Sequence, residues 1–293
     1  MRAFIQRHTV LTFYVLVLAL LTLVPVPIAL LGSGSGAQVT SPAEMGPIMY
    51  VTNVLAGPVC YALAGIVVIA VALGKAGLRD LRSRSFRWRV GLRWYAVALL
   101  TAPLLQTAIL LPFWLTTEAF LPDILTAQDK ASLLMAALLA GIVAAFFEEI
   151  GWTGFATHEH RERHGLLATG LLVGLPWCLL HSPIYLATDR GAIPLALYLP
   201  VMTFSILLPY RVLMVWVYDR TQSVLMAMLM HLPITTSALL ASSSAMVGVP
   251  DLIFNLVFGA TLWVLVAAVA AANPRGRSRS GFDHLRMRAR VSR

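Results

Sequence analysis

The stretch ASLLMAALLAGIVAAFFEEIGWTGFAT, residues 131–157, carries no charge apart from Glu148 and Glu149. A helix rises about 1.5 Å per residue and the hydrocarbon core of a bilayer is about 30 Å thick, so a run of this length crosses it once. Seven further runs of the same kind lie at 10–31, 48–73, 94–115, 166–186, 193–218, 224–247 and 252–272. The pattern predicts an all-α, polytopic membrane bundle of about eight transmembrane helices. An even number of crossings puts both termini on one side.

Composition excludes the alternatives. Of 293 residues, 59% are hydrophobic and 12% charged, with a mean hydropathy of +0.80. Soluble domains hold roughly 45–50% apolar and about 25% charged residues. Cys60 and Cys178 both lie inside apolar runs, which removes a disulfide framework and a cysteine zinc site. The net charge of +9 does not point to nucleic acid, because the basic residues are confined to short stretches abutting the spans and no motif presents them to bases. The first run follows Arg2 and Arg7 as a signal peptide would, yet it has full span length and ends in Gly-Ser, so it is expected to be a retained helix.

The distribution of charge orients the bundle. Twenty of the 22 Lys and Arg residues fall in alternate loops, at the N-terminus, in the sixth span's nearer half (Arg211) or in the tail; Lys130 and Arg190 fall on the other side. By the positive-inside rule both termini are expected to be cytoplasmic, in a multi-pass protein of the cell membrane. Residues 1–273 read as one transmembrane domain, and 274–293 as an Arg-rich, disordered arm held near anionic lipid headgroups. The Gly-Ser segment 32–36 reads as an outer loop, and Gly170 and Gly174 as a helix-packing pair. The tract from His158 to His164 reads as a solvated cytoplasmic turn with interleaved opposite charges, and Tyr50, Trp88, Trp94 and Tyr218 as interfacial anchors. Met226, Met228 and Met230 read as packing.

Ionisable side chains inside spans cost roughly 2.5–3.5 kcal/mol at a helix centre, so those that occur are candidates for function. They are Glu148, Glu149, His181, Arg211 and His231. A hairpin turning at His164-Gly165 puts Glu148 level with His181, and one turning near Thr221 puts Arg211 level with His231. Both levels lie about 14–18 Å below the cytoplasmic surface, so the groups share one layer. A carboxylate in such a layer suits general-base attack by water, with imidazole sharing the proton and a second histidine holding an oxyanion. A divalent ion such as zinc is the alternative, with Glu148, His181 and His231 as ligands, although neither HExxH nor CxxC is present. A purely structural arrangement, with each group hydrogen-bonded to a neighbouring helix, stays open at this point.

The spacing resembles the CPBP family, which includes CAAX prenyl proteases and bacteriocin-processing or Abi proteins. Glu148-Glu149-Ile150-Gly151-Trp152-Thr153 is similar to its EExxxR motif, Trp177-Cys178-Leu179-Leu180-His181 to its aromatic-xxxH motif, and His231-Leu232-Pro233-Ile234-Thr235 to its HxxxN motif. The resemblance covers about 131–240. It implies an eight-helix intramembrane endopeptidase open to the cytoplasm, acting on a membrane-associated peptide or protein. By position, it implies that Glu148 and His181 activate water while His231 and residue 235 hold the oxyanion. The family's mechanism is argued both with a metal and without a cofactor.

Two positions depart from the motifs. Thr153 stands where the family has Arg, which removes an i,i+4 partner for Glu149, and Arg211 is the candidate to supply that charge from another helix. Thr235 stands where the family has Asn, offering a hydroxyl in place of an amide donor. These departures favour a rival reading, a catalytically silent member that binds a membrane peptide or protein. A proton-coupled transporter is a third reading, against which stands the lack of an inverted repeat.

Overall fold

The computed structural model describes residues 2–24, 55–186 and 188–273. Among these residues all regular structure is helical. In chain order come α1 (Arg2–Arg7), α2 (Thr9–Leu23), α3 (Gly57–Ser85), α4 (Leu92–Trp114), the short α5 (Asp123–Thr126), α6 (Lys130–Gly151), a π-helical turn (Trp152–Thr157), α7 (His158–Arg161), α8 (Leu166–Leu186), α9 (Leu195–Phe204), α10 (Leu207–Thr221), α11 (Val224–Leu240) and α12 (Val249–Ala272).

Among the described residues six helical stretches are long and apolar enough to cross a membrane, counting α6 through α7 as one and α9 with α10 as another. The remaining two runs form the shorter apolar helices α2 and α11. This is a multi-pass membrane protein. Residues 25–31 and 48–54 of the first two runs, the segment 32–36, Tyr50 and the tail 274–293 lie outside the described residues.

Local chemistry sets the helix ends. The Asp129 carboxylate accepts a hydrogen bond from the Ser132 amide at 3.0 Å and starts α6, and the Ser223 hydroxyl does the same for Met226 at 3.2 Å to start α11. Gln222, in the left-handed conformation at φ 51°, ends α10 so that α11 can turn back alongside it. Pro233 lies inside α11, which continues through it to Leu240.

Close approaches position the helices that matter for function. A Cβ on Gly65 of α3 would meet the Gly151 Cα of α6 at 3.0 Å, so the two backbones cross in contact. Gly170 and Gly174 let α8 lie against Val212, Leu208 and the stem of Arg211 on α10, as their spacing predicts.

The tract at 158–164 departs from the sequence reading in its first half, 158–161, whereas Arg163 and His164 are exposed in a turn as expected. Instead of leaving the membrane as a solvated turn, the chain continues through the π-helical turn into α7, and His158, Glu159, His160 and Arg161 are all less than 10% exposed. The stretch from Lys130 to Arg161 runs to 32 residues, longer than one bilayer crossing, and its end packs against neighbouring helices. Thr9 Oγ1 donates to Glu159 Oε2 at 3.1 Å, and Arg161 binds Asp219 with Nη2 to Oδ1 at 2.6 Å. Tyr218 is likewise fully packed and no interfacial anchor, its hydroxyl lying 2.8 Å from His158 Nδ1. Trp88 is exposed and Trp94 half-buried.

Candidate active site

Four helices and the π-helical turn bring the intramembrane polar groups together. α6 carries Glu148 and Glu149, the turn carries Thr153, α8 carries Trp177 and His181, α10 carries Arg211, and α11 carries His231 and Thr235. Adjacent residues on a helix point about 100° apart, so the two glutamates meet different partners.

Glu149 is fully buried and both its oxygens are committed. Arg211 donates from Nη1 to Oε2 at 2.8 Å and from Nη2 to Oε1 at 3.0 Å. His231 Nδ1 lies 2.7 Å from Oε1, and the Thr153 hydroxyl donates to Oε2. A paired fork of this kind is the geometry in which arginine binds a carboxylate most strongly. Arg211 thus reaches the carboxylate that Thr153 cannot neutralise, and the Thr153 hydroxyl adds a hydrogen bond to it.

Glu148 has a different environment. Its Oε2 accepts a hydrogen bond from Trp177 Nε1 at 2.8 Å, and its other oxygen takes none from the described residues. Trp177 is the hub of the site. The guanidinium carbon of Arg211 lies 4.0 Å from the centroid of its ring, and the imidazoles of His181 and His231 stand at steep angles to it with centroids 4.9 and 5.6 Å away. His181 is half-buried, with Nδ1 2.7 Å from the Trp177 carbonyl oxygen. A carbonyl can only accept, so Nδ1 carries the hydrogen and Nε2 keeps its lone pair. By the same reasoning His231 Nδ1 donates to Glu149, leaving Nε2 directed to other partners.

Thr235 is half-buried on α11 and makes no hydrogen bond to this cluster, while the next residue, Thr236, donates to the Ala137 carbonyl at 3.2 Å. Among the described residues no three His, Cys, Asp or Glu side chains converge as a metal centre requires. Glu148 is engaged by Trp177, and His231 by Glu149. The atoms left outside these hydrogen bonds are one Glu148 oxygen and the Nε2 atoms of His181 and His231, which as placed do not gather into a ligand set.

A second buried polar group lies at the end of the bundle carrying the basic loops. Arg84 of α3 donates Nε to Asp80 Oδ2 at 2.7 Å and Nη1 to both the Tyr218 hydroxyl at 2.9 Å and the Gly154 carbonyl at 3.0 Å. Gly154 belongs to the π-helical turn, where hydrogen bonding departs from the α pattern. The sequence reading missed this group. Its one local signal is the i,i+4 spacing of Asp80 and Arg84, and nothing else marks Arg84 among the basic residues of 75–93.

Residues 130–237 match the family model described as type II CAAX prenyl endopeptidase Rce1-like. Over 94 residues the chain is 26% identical to CAAX prenyl protease 2 of Methanococcus maripaludis, an alignment covering 31% of this chain and 35% of that protein. The chain spans about a third of the length of the curated relative it matches.

Proposed function

We propose, from the match of residues 130–237 to the Rce1-like family model and from the site geometry, that this segment is a CPBP-type domain and that the protein is an intramembrane endopeptidase. It hydrolyses a peptide bond of a membrane-associated peptide near the end of the bundle that carries the basic loops. The relative from Methanococcus maripaludis is named a CAAX prenyl protease, which makes a prenylated C-terminal peptide the first substrate to try.

The observation that carries this reading is the unequal treatment of two adjacent carboxylates. Glu149 is saturated by Arg211, His231 and Thr153, whereas Glu148 keeps one oxygen uncommitted among the described residues. A group that must take a proton needs a free lone pair, and a group that must orient others does not.

In the proposed reaction Glu148 takes a proton from water, with His181 Nε2 sharing it, and the hydroxide adds to the scissile carbonyl carbon. The carbonyl oxygen becomes an anion and accepts a hydrogen bond from His231 Nε2, a role that requires the imidazolium form, with its Nδ1–H given to Glu149 and its Nε2–H to the oxyanion, and with Thr235 one turn further along α11 as a second donor. The proton held by Glu148 and His181 passes to the amide nitrogen as the C–N bond breaks, leaving a carboxylic acid and an amine, and the acid then gives up its remaining proton to the amine or to water. Glu149 and Arg211 hold His231 in place. No cofactor takes part.

The rival reading, a silent member that binds a membrane peptide, draws on Thr235 and on its lack of a hydrogen bond to the site. Cleavage of a farnesylated C-terminal peptide by purified wild type, and its loss in Glu148→Gln, separates the two. Tight binding of that peptide without cleavage in either protein favours the silent reading.

A further inference from the structure

At the end of the bundle that carries the basic loops, α4, α10 and α12 converge on a groove of about 320 Å³ lined by Arg93, Trp94, Val97, Trp216, Arg220 and Asn273. Arg93 lies in the first turn of α4, Arg220 in the last turn of α10, and Asn273 caps α12. The groove therefore sits at one level, where the membrane-crossing helices begin and end.

Its chemistry is one-sided. Both arginines are exposed, and neither forms an ion pair among the described residues. Among the described residues no carboxylate lines the groove, and Asp219, beside Arg220 in sequence, is bound to Arg161. Trp94 and Trp216 meet edge to face with centroids 5.1 Å apart, and the Arg93 guanidinium carbon lies 5.3 Å from the Trp94 ring centroid. The Trp216 indole N–H is buried and has no acceptor among the described residues. Below Val97 the same face of α4 continues into exposed Leu100 and Leu104.

Guanidinium groups recognise phosphate oxygens through a planar fork of donors, and tryptophan favours the level of lipid headgroups. Basic pockets between membrane helices suit anionic headgroups, and the leucine surface beneath suits an acyl chain. We propose that this groove is a binding site for one anionic phospholipid. Its phosphate bridges Arg93 and Arg220, an ester oxygen accepts the Trp216 N–H, and a chain lies along α4. A free phosphate uses the arginines but gains nothing from the apolar strip. The site is separate from Glu148 and does not rest on the peptidase reading.

Native mass spectrometry of the full chain in detergent with added phosphatidylglycerol or phosphatidylcholine tests the proposal. The wild type is expected to retain one phosphatidylglycerol, and Arg93→Gln with Arg220→Gln to weaken that retention about tenfold or more. Arg79→Gln with Arg82→Gln, which removes equal charge from the same end outside the groove, is expected to leave it unchanged. Millimolar inorganic phosphate is expected not to displace the lipid. Equal loss in both double variants, equal retention of phosphatidylcholine, or displacement by inorganic phosphate overturns the proposal. Quenching of tryptophan fluorescence by brominated phosphatidylglycerol gives a second readout; it is expected to fall in Trp94→Phe with Trp216→Phe, and unchanged quenching there also overturns it.

Discussion

Arg211 holds Glu149 through two parallel hydrogen bonds, at 2.8 and 3.0 Å, across two helices, and neither side chain is exposed. Taking both charges out of water is costly, and the cost is offset only while each charge has its full set of partners.

Removing one partner should therefore be severe. Arg211→Met leaves Glu149 buried without its counter-charge, and a loss of about 3–5 kcal/mol is expected. Thermal unfolding in detergent measures it. Thr153→Arg, introduced into that variant, places a guanidinium four residues from Glu149 and should recover part of the loss. No recovery in the folded double variant removes Arg211 as the substitute for the motif arginine.

Changes at the two glutamates should separate. Glu148→Gln keeps the shape and the acceptor for Trp177, so stability is expected to change by no more than about 1 kcal/mol while cleavage of a substrate peptide is abolished. Glu149→Gln strands Arg211 in an apolar interior and should lower both stability and cleavage. Parallel melting and turnover measurements on the two variants distinguish this from two equivalent carboxylates, which would respond alike.

Trp177→Phe keeps an aromatic face for Arg211 but loses the N–H that orients Glu148. Turnover is expected to fall with KM nearly unchanged, because the indole is assigned to positioning the base and not to binding substrate. A large rise in KM at constant kcat would assign it to substrate contact.

Arg84 should matter for stability although it lies well outside the matched segment. Arg84→Met leaves the Gly154 carbonyl and the Tyr218 hydroxyl without their donor and Asp80 without its ion pair, an expected cost of about 1–3 kcal/mol. Thermal unfolding checks this, and a change below the error of measurement would mean that the π-helical turn holds its shape without α3.

Most of the helix layout was legible because long apolar runs have few other solutions, and 166–186 coincides with α8 end to end. The convergence of Arg211 with the glutamates could be anticipated from hairpin geometry, since charges inside spans are rare enough to be paired by depth. The identity of the partner came from the motif resemblance, in which the arginine missing at Thr153 points Arg211 to Glu149, and not from hydropathy. Whether Arg211 meets Glu148 or Glu149 depends on the rotation of α6, which hydropathy does not encode. The tract at 158–161 misled for a related reason. Interleaved charges look the same in sequence whether they face water or one another, and burial beneath α2 and beside Asp219 depends on long-range packing. Tyr218 misled likewise, because a tyrosine near a span end suits an interface and a buried hydrogen-bond relay equally well.

The central claim, that Glu148 activates water for peptide-bond hydrolysis, is tested most directly by expressing wild type and Glu148→Gln at equal levels in a host membrane and comparing the termini of membrane and released peptides. The account predicts new termini with wild type that are absent with Glu148→Gln. Identical sets of termini from both proteins, accumulated equally and presented with a prenylated substrate, would contradict it.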